Sequence, residues 1–95
     1  MFFGLRKSKR RRNAAEVADL IERFLDGKSL YPQEWNDFVD ASQIDKRIDA
    51  YRQRCYELDP LVNRPGLPDE HALAELRQLV ATLRYEGNRE GGDAA

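Results

Sequence analysis

Cysteine and histidine occur once each, at Cys55 and His71. A lone cysteine makes no internal disulfide and agrees with a reducing compartment. One Cys and one His also fall short of zinc-finger spacing and supply no paired nucleophile motif. The glycines (Gly4, Gly27, Gly66, Gly87, Gly91, Gly92) are isolated or lie in the terminal stretches, so no glycine-rich loop exists to cradle a phosphate. Ser8, Ser29 and Ser42 have no nucleophile context. Asp37, Asp40, Asp45 and Asp49 lie close together in sequence but without calcium-loop spacing. No apolar run approaches the ~20 residues of a membrane span. The opening Met1-Phe2-Phe3-Gly4-Leu5 is shorter than a signal-peptide core, and its charges follow rather than precede it. These absences predict a non-catalytic chain with no metal, no cofactor and no small-molecule substrate. They also predict a cytoplasmic location, or a peripheral one at the inner membrane face.

What is present fits one small domain. Ninety-five residues bury a single core, and 41% apolar with 35% charged residues is too apolar for wholesale disorder. The net charge of −1 conceals an asymmetry. Arg6, Lys7, Lys9, Arg10, Arg11 and Arg12 crowd the first twelve residues with no acid among them. Residues 13–95 set ten positive side chains against seventeen acids, a net of −7. The chain therefore reads as an acidic body behind a basic tail.

Helical periodicity organises the body. The apolar residues Ile44, Ile48, Tyr51, Cys55 and Leu58 recur at steps of four, three, four and three, which draws one stripe down a central helix. Ser42 is its expected cap, and Asp59-Pro60 its expected stop. A first helix is predicted from Ala14 to Asp26. Asn13 and Glu16 form its capping box, Val17, Leu20, Ile21, Phe24 and Leu25 its apolar face, and Gly27 its C-terminal residue. A short second helix is expected at residues 32–41, with Pro32 in its first turn. Leu61, Val62 and Leu67 are expected to fold back as plugs at the bundle end. The last helix follows an Asp69 cap, with Ala72, Leu73, Leu76, Leu79, Val80 and Leu83 inward, and is expected to stop near Gly87. The predicted fold is all-α: a small bundle of four helices, one of them short. It has a disordered basic tail at 1–12, a helical domain at 13–87 and a short flexible tail at 88–95. The predicted core is Val17, Leu20, Ile21, Phe24, Trp35, Phe38, Ile44, Ile48, Tyr51, Cys55, Leu76, Leu79 and Leu83.

Two regions are candidates for binding. The first is the aromatic cluster of Tyr31, Trp35 and Phe38, near Asp37, Asp40, Asp45 and Asp49. These aromatics read first as core. As an exposed anchor, Tyr31 and Trp35 would suit a protein partner, and the four acids would suit a basic one. An inhibitor of the immunity type, neutralising a cationic toxin, is one concrete form. The second candidate is the tail. Phe2 and Phe3 stand ready to insert at a membrane interface while Arg6, Lys7, Lys9, Arg10, Arg11 and Arg12 meet anionic head groups. The same cations suit a nucleic-acid backbone, and a purely solubilising tail needs no partner at all. A helix-turn-helix reading of the second and third helices is weakened by the acids interleaved with Arg47 and Arg54.

Phe24-Leu25-Asp26-Gly27, Tyr31-Pro32-Gln33-Glu34-Trp35-Asn36-Asp37-Phe38 and Arg54-Cys55-Tyr56-Glu57-Leu58 together resemble a pattern of small bacterial helical proteins. In these a Phe-Leu-x-Gly turn precedes a Trp-x-Asp-Phe helix and then a helix ending Arg-x-Cys-x-x-Leu. The likeness covers under half of the chain. It implies a bacterial source and a helical domain, and transfers no activity and no site residue.

Overall fold

A computed structural model describes residues 11–94, with side chains described through Arg89. Its elements are α1 (Ala14–Asp26), α2 (Glu34–Asp40), α3 (Lys46–Val62) and α4 (Glu70–Ala94), so the described chain is an all-α bundle of four helices.

The first helix follows its local signals throughout. Asn13 Oδ1 accepts from the Glu16 N–H at 2.8 Å, and Glu16 Oε1 accepts from the Asn13 N–H at 2.9 Å, closing the capping box. Gly27 ends the helix with φ at 70°, a left-handed geometry that a side chain would strain. Its N–H and that of Lys28 turn back to Phe24 O and Arg23 O. The inward face buries Val17, Leu20 and Ile21.

That face packs chiefly on α4, which runs antiparallel to it. Arg84 of α4 reaches Asp19 and Glu22, and Gly87 lies against Ala15 one turn further on. A Cβ on Gly87 would stand 3.4 Å from the Ala15 backbone nitrogen, an ordinary contact, so the two helices lie close here without requiring glycine. The expected stop at Gly87 is corrected. The helix continues through residues 88–94, and Gly87 does not take the positive φ that Gly27 uses to end α1. Ala72, Leu76, Val80 and Leu83 are the buried residues of α4.

The third helix is also antiparallel to α4, as shown by Arg54 pairing with Glu75 and Tyr51 with Glu86. Its boundaries correct three expectations. Ser42 is not its cap: Asp45 is, accepting from the Arg47 N–H at 2.9 Å. The segment before it is held differently. The Gln43 N–H donates to Asp49 Oδ1 at 2.8 Å, and the Gln43 side chain folds inward onto Ala41 O. With Asp45 extended, Ile44 leaves the stripe and is 44% exposed rather than core. Pro60 does not stop the helix either, and the N–H of Asn63 still closes on Asp59 O at 2.8 Å. A proline in the last turn removes one hydrogen bond. The continuation buries Val62, which offsets that loss. Leu61 and Leu67 are exposed, Leu67 at 87%, so neither plugs the bundle end.

Between α1 and α3 sits α2, shorter than expected. Pro32 lies in the turn before it, closed by the Glu34 N–H donating to Tyr31 O at 3.0 Å. Trp35 and Phe38 enter the core, where the Trp35 ring stacks on Phe24 at 4.0 Å. Phe24, Tyr51 and Leu79, all expected as core, are only partly buried and pack against its edge. Apart from Ile44, the other expected core positions are buried.

Candidate functional site

Glu34 organises the surface on which Tyr31 stands. Its carboxylate is almost wholly buried and accepts from three directions: Arg23 Nε at 3.1 Å, Arg23 Nη2 at 2.7 Å and the Leu30 N–H at 3.0 Å. The hydrogen bonds from Arg23, helped by that from Leu30 and by the charge of Arg12, hold its carboxyl below the ordinary range against the opposing effect of burial. The Arg23 guanidinium is raised in turn, chiefly by its hydrogen bond to Glu34. A bidentate charged pair of this kind is geometrically specific, and it ties the α1–α2 connection to α1.

The pinned connection presents Leu30, Tyr31 and Pro32 outward. Leu30 is 72% exposed and Tyr31 43%. With Phe24, Gly27 and Ser29 they line a shallow, open groove of about 500 Å³ with a mixed polar and apolar lining. The Tyr31 hydroxyl donates to Asp37 Oδ2 at 3.0 Å, which fixes the ring at the groove edge. On its other side Tyr31 borders a second depression of about 310 Å³, lined with the acids Glu16, Asp19 and Glu34 together with Arg12 and Arg23. The two depressions meet at a single tyrosine, and in the second the acids are partly committed, Glu34 to Arg23, Asp19 to Arg84 and Glu16 to the α1 cap.

The residues expected to bind a protein separate. Tyr31 and Asp37 come together at this surface. Trp35 does not join them: it is 2% exposed, and its Nε1–H donates to Asp59 Oδ1 at 2.6 Å inside the fold, so the expectation of an exposed Trp35 anchor is corrected. Asp40 is exposed at the end of α2. Asp45 caps α3, while Asp49 holds the Gln43 backbone and pairs with Arg52 at 3.1 Å. The pairing of Asp49 with Arg52 is the weak local pair that the sequence suggests, whereas the Asp45 cap and the hold of Asp49 on the Gln43 backbone are not expected from it. Sequence reasoning missed Leu30, Pro32 and the clamp by Glu34. The signal was Leu30-Tyr31-Pro32 itself, three consecutive large residues in a connection too short to bury them all.

Of the tail, Phe2, Phe3, Arg6, Lys7, Lys9 and Arg10 lie outside the described residues. Arg11 is exposed. Arg12 is half-buried and sets its guanidinium over the Phe38 ring, 5.7 Å from the centroid. It is thus part of the fold rather than of the tail in which it was expected.

Groups with reactive chemistry are placed apart from this surface. Cys55 is fully buried, and burial pushes its thiol up to about 12, leaving almost no thiolate at neutral pH. Tyr51, pushed up to about 12 by burial and then by donating to Glu86 at 2.7 Å, ties α3 to α4. His71 is exposed in the first turn of α4. Among the described residues, no three of His, Cys, Asp or Glu stand together as a metal site, and no helix is long and apolar enough to cross a membrane.

No family model matches the chain, and neither a curated protein nor a solved structure matches it at significant similarity.

Proposed function

We propose that this protein is a non-catalytic protein-interaction domain that docks a cationic partner segment on the Tyr31 surface. The observation that carries the reading is Tyr31 itself. It is an exposed aromatic on a connection pinned by the Arg23–Glu34 pair, it stands beside exposed Leu30 and Pro32, and it borders a depression in which acids and arginines mix. A rigid amphipathic ring beside a hydrophobic patch loses little conformational entropy on binding and suits an anchor. The acids around it favour a basic partner and speed its encounter. An inhibitor of immunity type, which neutralises a cationic toxin or nuclease, is one form this would take.

The test is affinity capture with the full chain and with Tyr31→Ser and Asp37→Lys as baits. A salt-sensitive partner should be held by the wild-type chain and by Glu70→Lys, whose change lies at the start of α4, and lost from the other two. Identical capture by all four baits would overturn the reading. The second reading, association with anionic membrane or nucleic acid through residues 1–12, draws on the density of cations there. It predicts co-sedimentation with anionic but not neutral vesicles, or salt-sensitive retention on nucleic acid.

A further inference from the structure

Exposed leucines gather at one end of the bundle. Helices α1 and α3 run antiparallel to α4, and α2 runs antiparallel to α3, with Asn36 against Asn63 and Val39 O against Arg52. The α1–α2 and α3–α4 connections therefore emerge at the same end. Leu30 stands on the first, Leu67 on the second and Leu61 in the last turn of α3, and all three are exposed, Leu67 at 87%. Among the described residues, Ile44, Tyr56 and Tyr85 are the exposed large apolar side chains away from this end, and each lies on a different segment. A lone exposed apolar residue is ordinary on a folded surface, whereas a group at one end calls for a cover.

The loop that carries Leu67 is held in place. The Asn63 side chain donates to Asn36 Oδ1 and to Asp59 Oδ1, both at 3.1 Å, and the Asp69 N–H donates to Leu61 O at 2.9 Å. Arg64 Nη2 donates to Leu67 O at 3.3 Å, and Gly66 turns the chain with φ at 87°. A loop already fixed loses little freedom on docking. The charge at this end selects the occupant. Its exposed acids Asp26 and Glu70 are matched by exposed Lys28 and Arg64. Asp37 accepts from Tyr31, Asp69 caps α4, and Glu34 is held by Arg23. A cationic partner or an anionic surface calls for an excess of one sign, which this end does not offer. A second copy brings the same leucines and both signs, so across a two-fold axis leucine can meet leucine and the cations of each copy can meet the acids of the other. Elsewhere like meets like, since residues 13–95 carry a net charge of −7.

We infer that two copies of this chain associate end to end through Leu30, Leu61 and Leu67 about a two-fold axis. The inference does not rest on a cationic partner at Tyr31. It adds a state in which Leu30 is covered, so that a partner at Tyr31 meets the monomer.

The test is sedimentation equilibrium of the full chain over a wide range of concentration. The wild-type chain is compared with the double variant Leu30→Ser, Leu67→Ser and with Ile44→Ser at the opposite end. Both leucines are exposed, so the double variant should keep the fold, which its circular dichroism and urea midpoint check. The wild-type mass should rise from one chain to two and level there. The double variant should associate roughly ten-fold or more weakly, as loss of an interface anchor implies. Ile44→Ser should follow the wild type, and high salt should not abolish the pairing. A wild-type chain that stays single at every concentration overturns the inference. So does association that the double variant leaves unchanged, or that high salt removes, which would assign it to the basic tail on the acidic body. A mass that climbs past two chains overturns the two-fold axis, because only an open head-to-tail contact continues to grow. None of these outcomes bears on capture at Tyr31, which is measured with a partner present.

Discussion

Tyr31 and Trp35 stand four residues apart, and the fold treats them in opposite ways. Trp35 is sunk against Phe24 and Phe38 with its N–H satisfied by Asp59. Tyr31 is held at the surface with its hydroxyl on Asp37. Each aromatic has a carboxylate partner, one on another helix and one on α2. Asp59 is on α3, inside reach of the buried face of α2, whereas Asp37 is on α2 itself and half-buried at its edge. The acids divide along the same line. Glu34, Asp45, Asp49 and Asp59 are bound to backbone, to arginine or to the indole. The charge that a partner can meet is therefore smaller than the charge in the sequence.

The sharpest way to break this comparison is to truncate both rings. Trp35→Ala should cost about 3–5 kcal/mol, because it opens a cavity against Phe24 and Phe38 and leaves the Asp59 carboxylate without its indole donor. Small domains have about 5–15 kcal/mol in all, so this variant should stand near the edge of unfolding at room temperature. Tyr31→Ala should change stability by no more than about 0.5 kcal/mol, the usual range for a surface position. Urea denaturation with the slope held common to the variants measures both. Equal losses would mean that Tyr31 is a structural residue and would remove the reason for reading it as an anchor.

A middle-sized effect is expected at Glu34. Replacing it with Gln keeps the shape but weakens the contacts to Arg23 and Leu30, and hydrogen bonds to a charged group are worth about 1.5–3 kcal/mol. Arg23 is itself partly exposed and can be rehydrated, so the lower part of that range is expected. The pH dependence carries a definite sign. The Glu34 carboxyl is held below its ordinary value in the folded chain. Its contribution is therefore complete above the ordinary carboxylate range and is lost as the pH falls through the folded value. The wild-type chain should lose more stability than Glu34→Gln on acidification across that window. Parallel acid profiles for the two would show that the clamp contributes nothing. The same variant should also loosen Leu30 and Tyr31, seen as faster amide exchange in the α1–α2 connection.

These expectations bear on what the sequence disclosed. Helix α1 was fully legible because each of its signals is local: Asn13 and Glu16 at one end, Gly27 at the other, and the periodic face between. The all-α class and most of the core followed from the same periodicity. Boundaries decided by contacts distant in sequence were not legible. Pro60 reads as a stop until Val62 is seen to be buried, and Gly87 reads as a cap until α4 is seen to run on past it along α1. Ile44 fits the α3 stripe by number alone. Only the contact from the Gln43 N–H to Asp49 shows that the helix begins after it. At the candidate site, Tyr31 and Asp37 could be singled out by type. That Trp35 would bury its N–H on Asp59, and that Glu34 would pin the connection, depended on which helices became neighbours.

The smallest effect should come from Arg54, which like Arg23 meets a glutamate of a neighbouring helix through two nitrogens but is more exposed. Its guanidinium meets Glu75 on α4 through two nitrogens and Glu57 one turn along its own helix. These hydrogen bonds, that to Glu75 first, hold Arg54 above its ordinary value. On charge alone this triad looks stronger than the pair at Arg23. Its side chains, however, are 44%, 51% and 36% exposed, whereas that of Glu34 is 5% exposed. Water and salt screen an exposed pair and supply alternative partners when it is broken, so such pairs contribute little. Arg54→Met should shift the urea midpoint far less than Glu34→Gln, and the small shift should shrink further in high salt while that of Glu34→Gln persists. If Arg54→Met proves the more damaging change, the α3–α4 contact depends on its surface charges. The contrast between a clamped, buried acid and a screened, exposed one would then no longer explain how this chain divides its charge between fold and surface.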